Sequence, residues 1–173
     1  LHFRPTPLFQ DLPDVESEPW PMGDVDANRP FPAGINRRVL NAALDWAMDQ
    51  ADVVIAVMGL TAALEGEEKA DAAGGGDRLS IGLPGRQDEL LEYVARKGKP
   101  LVLVLACGSP VTLGWAEEHV PAIVSIWYPG QEGGQAIADV LFGDYNPAGR
   151  LPVTFVKSLD QVPPFDDYAM KGR

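Results

Sequence analysis

The chain has 173 residues, 46% of them hydrophobic, and sets 14 Lys and Arg against 25 Asp and Glu for a net charge of −11. That composition fits one globular domain with a sizeable core and excludes extensive disorder, while the sparse, scattered basic residues argue against nucleic acid and anionic membranes as partners. One cysteine, Cys107, excludes an internal disulfide framework, and two distant histidines, His2 and His119, lack the spacing of a zinc site.

A start at Leu1, without an initiator Met or a signal peptide, reads as an excised piece. Residues 1–36 contain Pro5, Pro7, Pro13, Pro19, Pro21, Pro30 and Pro32, a density that forbids helix and interrupts strand pairing. This stretch is expected to be an irregular linker or the tail of a preceding β-rich module, with the folded domain over residues 37–173. Val39, Leu40, Ala43, Leu44, Ala47 and Met48 then recur at three- and four-residue steps, which predicts an amphipathic helix ending near Gln50.

The run Asp52 to Leu60 is continuous, apolar and β-branched, the pattern of a parallel strand covered on both faces. A long polar, glycine-rich loop from Thr61 to Ser80 follows it. Leu90, Leu91, Val94 and Ala95 predict a helix over Gln87 to Lys97, stopped at Gly98. Leu101 to Ala106 repeats the buried-strand signal, Thr112 to Glu118 predicts a short helix, and Ala122 to Trp127 a third strand. Gly134 to Phe142 reads as a helix, and Asn146-Pro147-Ala148-Gly149 turns the chain toward a last candidate strand, Leu151 to Val156. No apolar run approaches the ~20 residues of a membrane helix.

This alternation predicts an α/β fold: an open, mainly parallel sheet flanked by helices, an incomplete α/β sandwich. Right-handed crossovers put the strand C-termini on one edge, where open sheets bind ligands, so chemistry is expected in the loops Thr61 to Ser80, Cys107 to Val111 and Tyr128 to Gln131. The first of these holds Leu64-Glu65-Gly66-Glu67-Glu68. Close like charges and partial desolvation favour one protonated carboxyl, as a general acid requires; the bland alternative is an exposed, solubilising acidic loop. Asp77-Arg78 offers an ion pair that folds the loop back.

Other motifs carry less. Gly74-Gly75-Gly76 has no following Gly-Lys-Ser or Gly-Lys-Thr, and Gly130 to Gly134 lacks dinucleotide spacing, with Glu132 opposing a pyrophosphate. No cofactor is expected. Ser109, followed by Pro110, reads as a turn residue rather than a nucleophile, and Cys107 as a small core residue. Trp115, Trp127 and Tyr128 can stack on sugar rings, although core packing is the commoner use of such side chains.

The run from Trp127-Tyr128-Pro129-Gly130-Gln131-Glu132-Gly133-Gly134 through Asn146-Pro147-Ala148-Gly149-Arg150-Leu151-Pro152 to Phe155 closely resembles the second, α/β-sandwich domain of glycoside hydrolase family 3. Ala51 to Leu60, the Leu64 to Glu68 stretch, Gly75-Gly76-Asp77-Arg78 and Leu83-Pro84-Gly85 resemble its catalytic-loop region. The resemblance implies a retaining exo-β-glycosidase of β-glucosidase or β-xylosidase type, acting on β-linked glucosides, xylosides or oligosaccharides. It also implies a nucleophilic aspartate on a barrel domain of the same parent chain, and a general acid/base on this domain's loop, with the two carboxyl groups about 5 to 5.5 Å apart. Residue matching puts the acid/base at Glu67, with Glu65 as the close alternative, because Lys69 to Gly76 separate the glutamates from Asp77-Arg78. Without the nucleophile this chain alone is expected to be inactive. The rival reading is a non-catalytic carbohydrate-binding or scaffolding domain of the same fold. A single cysteine suits a periplasmic or extracellular setting and is equally compatible with the cytoplasm.

Overall fold

In the computed structural model, which describes residues 37–65, 80–164 and 167, helices alternate with strands. The Pro-rich lead-in and the acidic and glycine-rich stretch 66–79 lie outside the described residues. The order is α1 (Arg37–Asp49), β1 (Val54–Gly59), α2 (Ala62–Glu65), α3 (Gln87–Ala95), β2 (Leu101–Ala106), α4 (Trp115–His119), β3 (Ala122–Ser125) and α5 (Gly133–Phe142). A 3-10 turn at Leu159–Gln161 follows.

The three strands form one parallel sheet in the order β1-β2-β3. Val54 pairs with Leu101 and Gly59 with Ala106, and Val102 pairs with Ala122 and Leu105 with Ser125. The parallel direction puts Gly59, Ala106 and Ser125 at the same edge, as the βαβ alternation predicts. β2 is central and supplies Leu101, Leu103, Val104 and Leu105, all buried.

One face of the sheet builds the core. Leu101, Leu103 and Ala56 pack with Met48 of α1, Leu91 and Val94 of α3, and Ala116 and Val120 around α4. Burying a side chain such as Leu91 or Leu103 contributes about 1.5–3 kcal/mol each, which is why the helical stripes lie on this face. Polar ties reinforce the layer: Tyr93 Oη donates to Asp45 Oδ1 at 2.6 Å, Lys97 Nζ lies 2.6 Å from the same oxygen, and Lys99 Nζ donates to the Ala51 carbonyl at 2.9 Å. The Lys97 bond, helped by Tyr93, holds the Asp45 carboxyl below its ordinary range. Both charges are substantially solvated, so the pair contributes little and weakens with salt.

Two expectations require correction. β1 is expected to be covered on both faces, but Ile55 is 42% and Val57 66% exposed: they lie on the face opposite the buried Ala56, and among the described residues only the Ala56 face is packed against the helices. Residues 151–156 are a candidate strand by sequence, yet among the described residues they join no ladder, and Leu151 and Val153 are exposed. Pro152 removes a ladder donor. Instead, the Val156 carbonyl accepts a bond from Thr112 Oγ1 at 3.2 Å, and Phe155 packs against a second cluster of Leu60, Leu83, Leu105, Cys107 and Val111. This cluster forms the floor beneath the C-terminal edge of the sheet.

Candidate functional site

The site starts where β1 ends. At Gly59 (φ +137°) a Cβ would stand 1.8 Å from the Ala106 carbonyl oxygen, so only glycine lets β1 lie this close to the end of β2. Gln87, the first residue of α3, grips Gly59 from the side: its Oε1 accepts the Gly59 N–H and its Nε2 donates to the Gly59 carbonyl, both at 2.8 Å. Leu60 N–H then bonds the Ala106 carbonyl at 2.8 Å, and Leu60 drops into the apolar floor.

Thr61 starts α2. Its carbonyl accepts the Leu64 and Glu65 N–H groups, and its Oγ1 accepts the Leu64 N–H at 3.4 Å, an N-cap arrangement. That single turn carries the Glu65 carboxylate across the sheet edge to the loops leaving β2 and β3. Glu65 Oε2 accepts the Gly108 N–H at 2.9 Å and the Tyr128 hydroxyl, while Oε1 accepts the Ser109 hydroxyl. One carboxylate thereby joins all three strand exits. Gly108 is required by space: a Cβ there would lie 2.5 Å from Glu65 Oε2 and 2.6 Å from Tyr128 Cε2. Trp127 adopts φ +54°, an uncommon conformation for a bulky side chain, and packs edge-on against Phe155 with ring centroids 6.0 Å apart. It immediately precedes Tyr128 and turns the chain at the exit of β3.

The electrostatics follow from these bonds. Partial burial is the largest single influence on Glu65 and raises its pKa, but the donors Ser109, Tyr128 and Gly108 together outweigh it and hold the carboxyl below the ordinary 4.5. These bonds favour the ionised form of Glu65. Tyr128 is pushed up to about 12 by partial burial and by its bond to Glu65.

The sign of the pH dependence follows. A depressed carboxyl contributes stability that is complete above its unfolded value and is lost as pH falls through the lower folded value. A raised phenol contributes stability that is complete below its unfolded value of 10.0 and lost as pH rises toward about 12. Stability measured against pH should therefore fall more steeply below 4.5 in the wild type than in Glu65→Gln. Equal acid slopes would contradict the bonding described.

The expected site residues divide clearly. Glu65 and Tyr128 meet at the predicted edge, and Ser109 serves there as a donor. Glu67, Glu68, Asp77-Arg78 and Gly74-Gly75-Gly76 lie outside the described residues. Cys107 is fully buried in the floor, as expected of a small core residue. Trp115 is stacked on His119 with ring centroids 4.4 Å apart and packed against the core. Among the described residues no three His, Cys, Asp or Glu side chains converge to hold a metal ion, and no helix is long and apolar enough to cross a membrane. The roles of Ser109 and Gly108 as partners of Glu65 and the Gln87 grip on Gly59 were not foreseen. These partners stand 28 to 63 positions apart, and only their places at strand exits and a helix start could have suggested them.

Comparison with known proteins agrees with this architecture. The family described as Glycosyl hydrolase family 3 C-terminal domain matches residues 22–173. A xylan 1,4-β-xylosidase from Xylanibacter ruminicola is 50% identical over 123 residues, covering 69% of this chain and 14% of the relative. A periplasmic β-glucosidase from Salmonella typhimurium is 42% identical over 142 residues, covering 80% of this chain and 18% of the relative. Among solved structures, a β-glucosidase from Erythrobacter marinus superposes with a TM-score of 0.68 at 40% identity, over 75% of this chain and 17% of that one. The chain thus spans less than a fifth of the length of each of these proteins.

Proposed function

The chain belongs to glycosyl hydrolase family 3, as its C-terminal domain, and from that premise we propose that it serves a longer, retaining exo-β-glycosidase of β-glucosidase or β-xylosidase type. In this reading the loop after β1 supplies the general acid/base, Glu67 first and Glu65 as the alternative. The nucleophile comes from a barrel domain of the same parent. The acid protonates the departing sugar oxygen as the nucleophile attacks the anomeric carbon, and the resulting carboxylate then activates the water that releases the sugar. The barrel is the domain's partner, and a terminal β-linked glucose or xylose is the substrate.

The observation that carries the reading is the Glu65 knot. It ties the start of the acidic stretch to the C-terminal edge of a parallel sheet, the edge at which such sheets present ligand-binding loops. A periplasmic or extracellular setting is part of the proposal, since one relative is named a periplasmic β-glucosidase.

The natural polypeptide that carries this chain should hydrolyse aryl β-glucosides or β-xylosides with retention of anomeric configuration, read by NMR of the first-formed sugar. Residues 1–173 alone should release no aglycone, because general acid catalysis has nothing to assist without the nucleophile. Inversion, or turnover by the isolated chain, would overturn the proposal.

A further inference from the structure

Donors of Gly108, Ser109 and Tyr128, from two loops, converge on the single carboxylate of Glu65, and this geometry favours its ionised form, the reverse of what a proton donor needs. The Gly108 N–H can only donate, and it occupies Oε2 together with the Tyr128 hydroxyl, while the Ser109 hydroxyl occupies Oε1. A proton on Oε2 would have to displace or reverse one of the two donors there, and a proton on Oε1 would weaken the charge-assisted bond from Ser109. A charge-assisted set of this kind stabilises the ionised form and fixes its position. The sequence separations are 43, 44 and 63 residues, so the bonds join parts of the chain that only the sheet brings together. Gly108 has no room for a Cβ against Glu65 Oε2 and the Tyr128 ring, so the knot is packed as well as bonded.

We propose that Glu65 is a positioning residue, an ionised anchor held by Gly108, Ser109 and Tyr128 that fixes where the acidic stretch leaves the sheet edge, and that it donates no proton to substrate. This deepens the proposed function and rests on the reading that the loop after β1 carries the acid. Ser109 and Tyr128 are then positioning residues for the same reaction. Their hydroxyls act through Glu65, and the proton transfer falls to the other carboxylate, Glu67.

Acid and anchor separate by leaving-group dependence. Removing a general acid spares substrates whose leaving group needs no proton, cripples those that do, and leaves a slow glycosyl-enzyme that azide can rescue. Removing an anchor misplaces the loop for every substrate alike. In the natural polypeptide, Glu65→Gln should lower kcat/KM by about tenfold to a hundredfold, by the same factor for 2,4-dinitrophenyl and alkyl β-glycosides, without azide rescue. Ser109→Ala and Tyr128→Phe should show smaller losses of the same flat pattern. Combined with Glu65→Gln they should add little, as expected of one coupled network.

A steep leaving-group dependence with azide rescue in Glu65→Gln would overturn the proposal, as would unchanged kinetics in both Ser109→Ala and Tyr128→Phe. If Glu65→Gln does not fold, Tyr128→Phe, which keeps the ring, carries the same comparison. If the polypeptide hydrolyses no aryl β-glycoside, the catalytic reading fails and the anchor is judged by hydrogen exchange at the Gly108 amide. Faster exchange in Tyr128→Phe supports the knot, and unchanged exchange overturns it.

Discussion

Glu67→Gln in the natural polypeptide is expected to slow hydrolysis of an alkyl β-glucoside or β-xyloside by about 10²- to 10⁴-fold, the range for loss of a positioned general acid/base. A 2,4-dinitrophenyl glycoside should behave differently, because its leaving group departs without a proton. Glycosylation then continues near its normal rate, while deglycosylation lacks its base and becomes limiting. A burst of dinitrophenol, with kcat and KM falling together, is the kinetic signature. Azide, a nucleophile that needs no base, should restore turnover and yield the β-glycosyl azide. The contrast with the flat response expected of Glu65→Gln assigns the two carboxylates to different tasks. Wild-type rates on alkyl glycosides in Glu67→Gln would remove it from the mechanism.

Gly59→Ala should be the most damaging small substitution in the described core, costing about 4 kcal/mol or more. Two penalties act together. The backbone at φ +137° is one that side-chain-bearing residues rarely adopt, and the new Cβ would lie 1.8 Å from the Ala106 carbonyl oxygen. That oxygen cannot withdraw cheaply, since it accepts the Leu60 N–H, and Gly59 cannot withdraw either, since Gln87 binds both its N–H and its carbonyl. Urea denaturation should show a large drop in the midpoint, with loss of glycosidase activity in the parent through displacement of the turn that bears Glu65. A midpoint within the error of the wild type would show that the β1–β2 contact is looser than described.

The comparison of sequence with structure is most instructive at β2 and at the Glu65 knot. Leu101–Ala106 is an unbroken apolar run, and the observed strand has those bounds, because a central strand buries both faces and its signal is local. β1 carries the same signal but exposes Ile55 and Val57 on one face, since coverage of a face is set by which elements pack on it. Leu151 to Val156 has strand-like residues and no ladder partner among the described residues. For the site, the place of Glu65 at the strand exits was legible from the alternation of strands and helices. Residue resemblance supplied the chemistry.

The sequence by itself determined the α/β alternation, the common edge of the strand C-termini and the family, because apolar periodicity and contiguous motifs are properties of neighbouring residues. Only the tertiary structure decided which groups meet Glu65 and what they do to its proton. Gly108, Ser109 and Tyr128 stand dozens of positions away. Hydrogen bonds of about 3 Å leave no trace in spacing until parallel pairing sets three loop ends side by side.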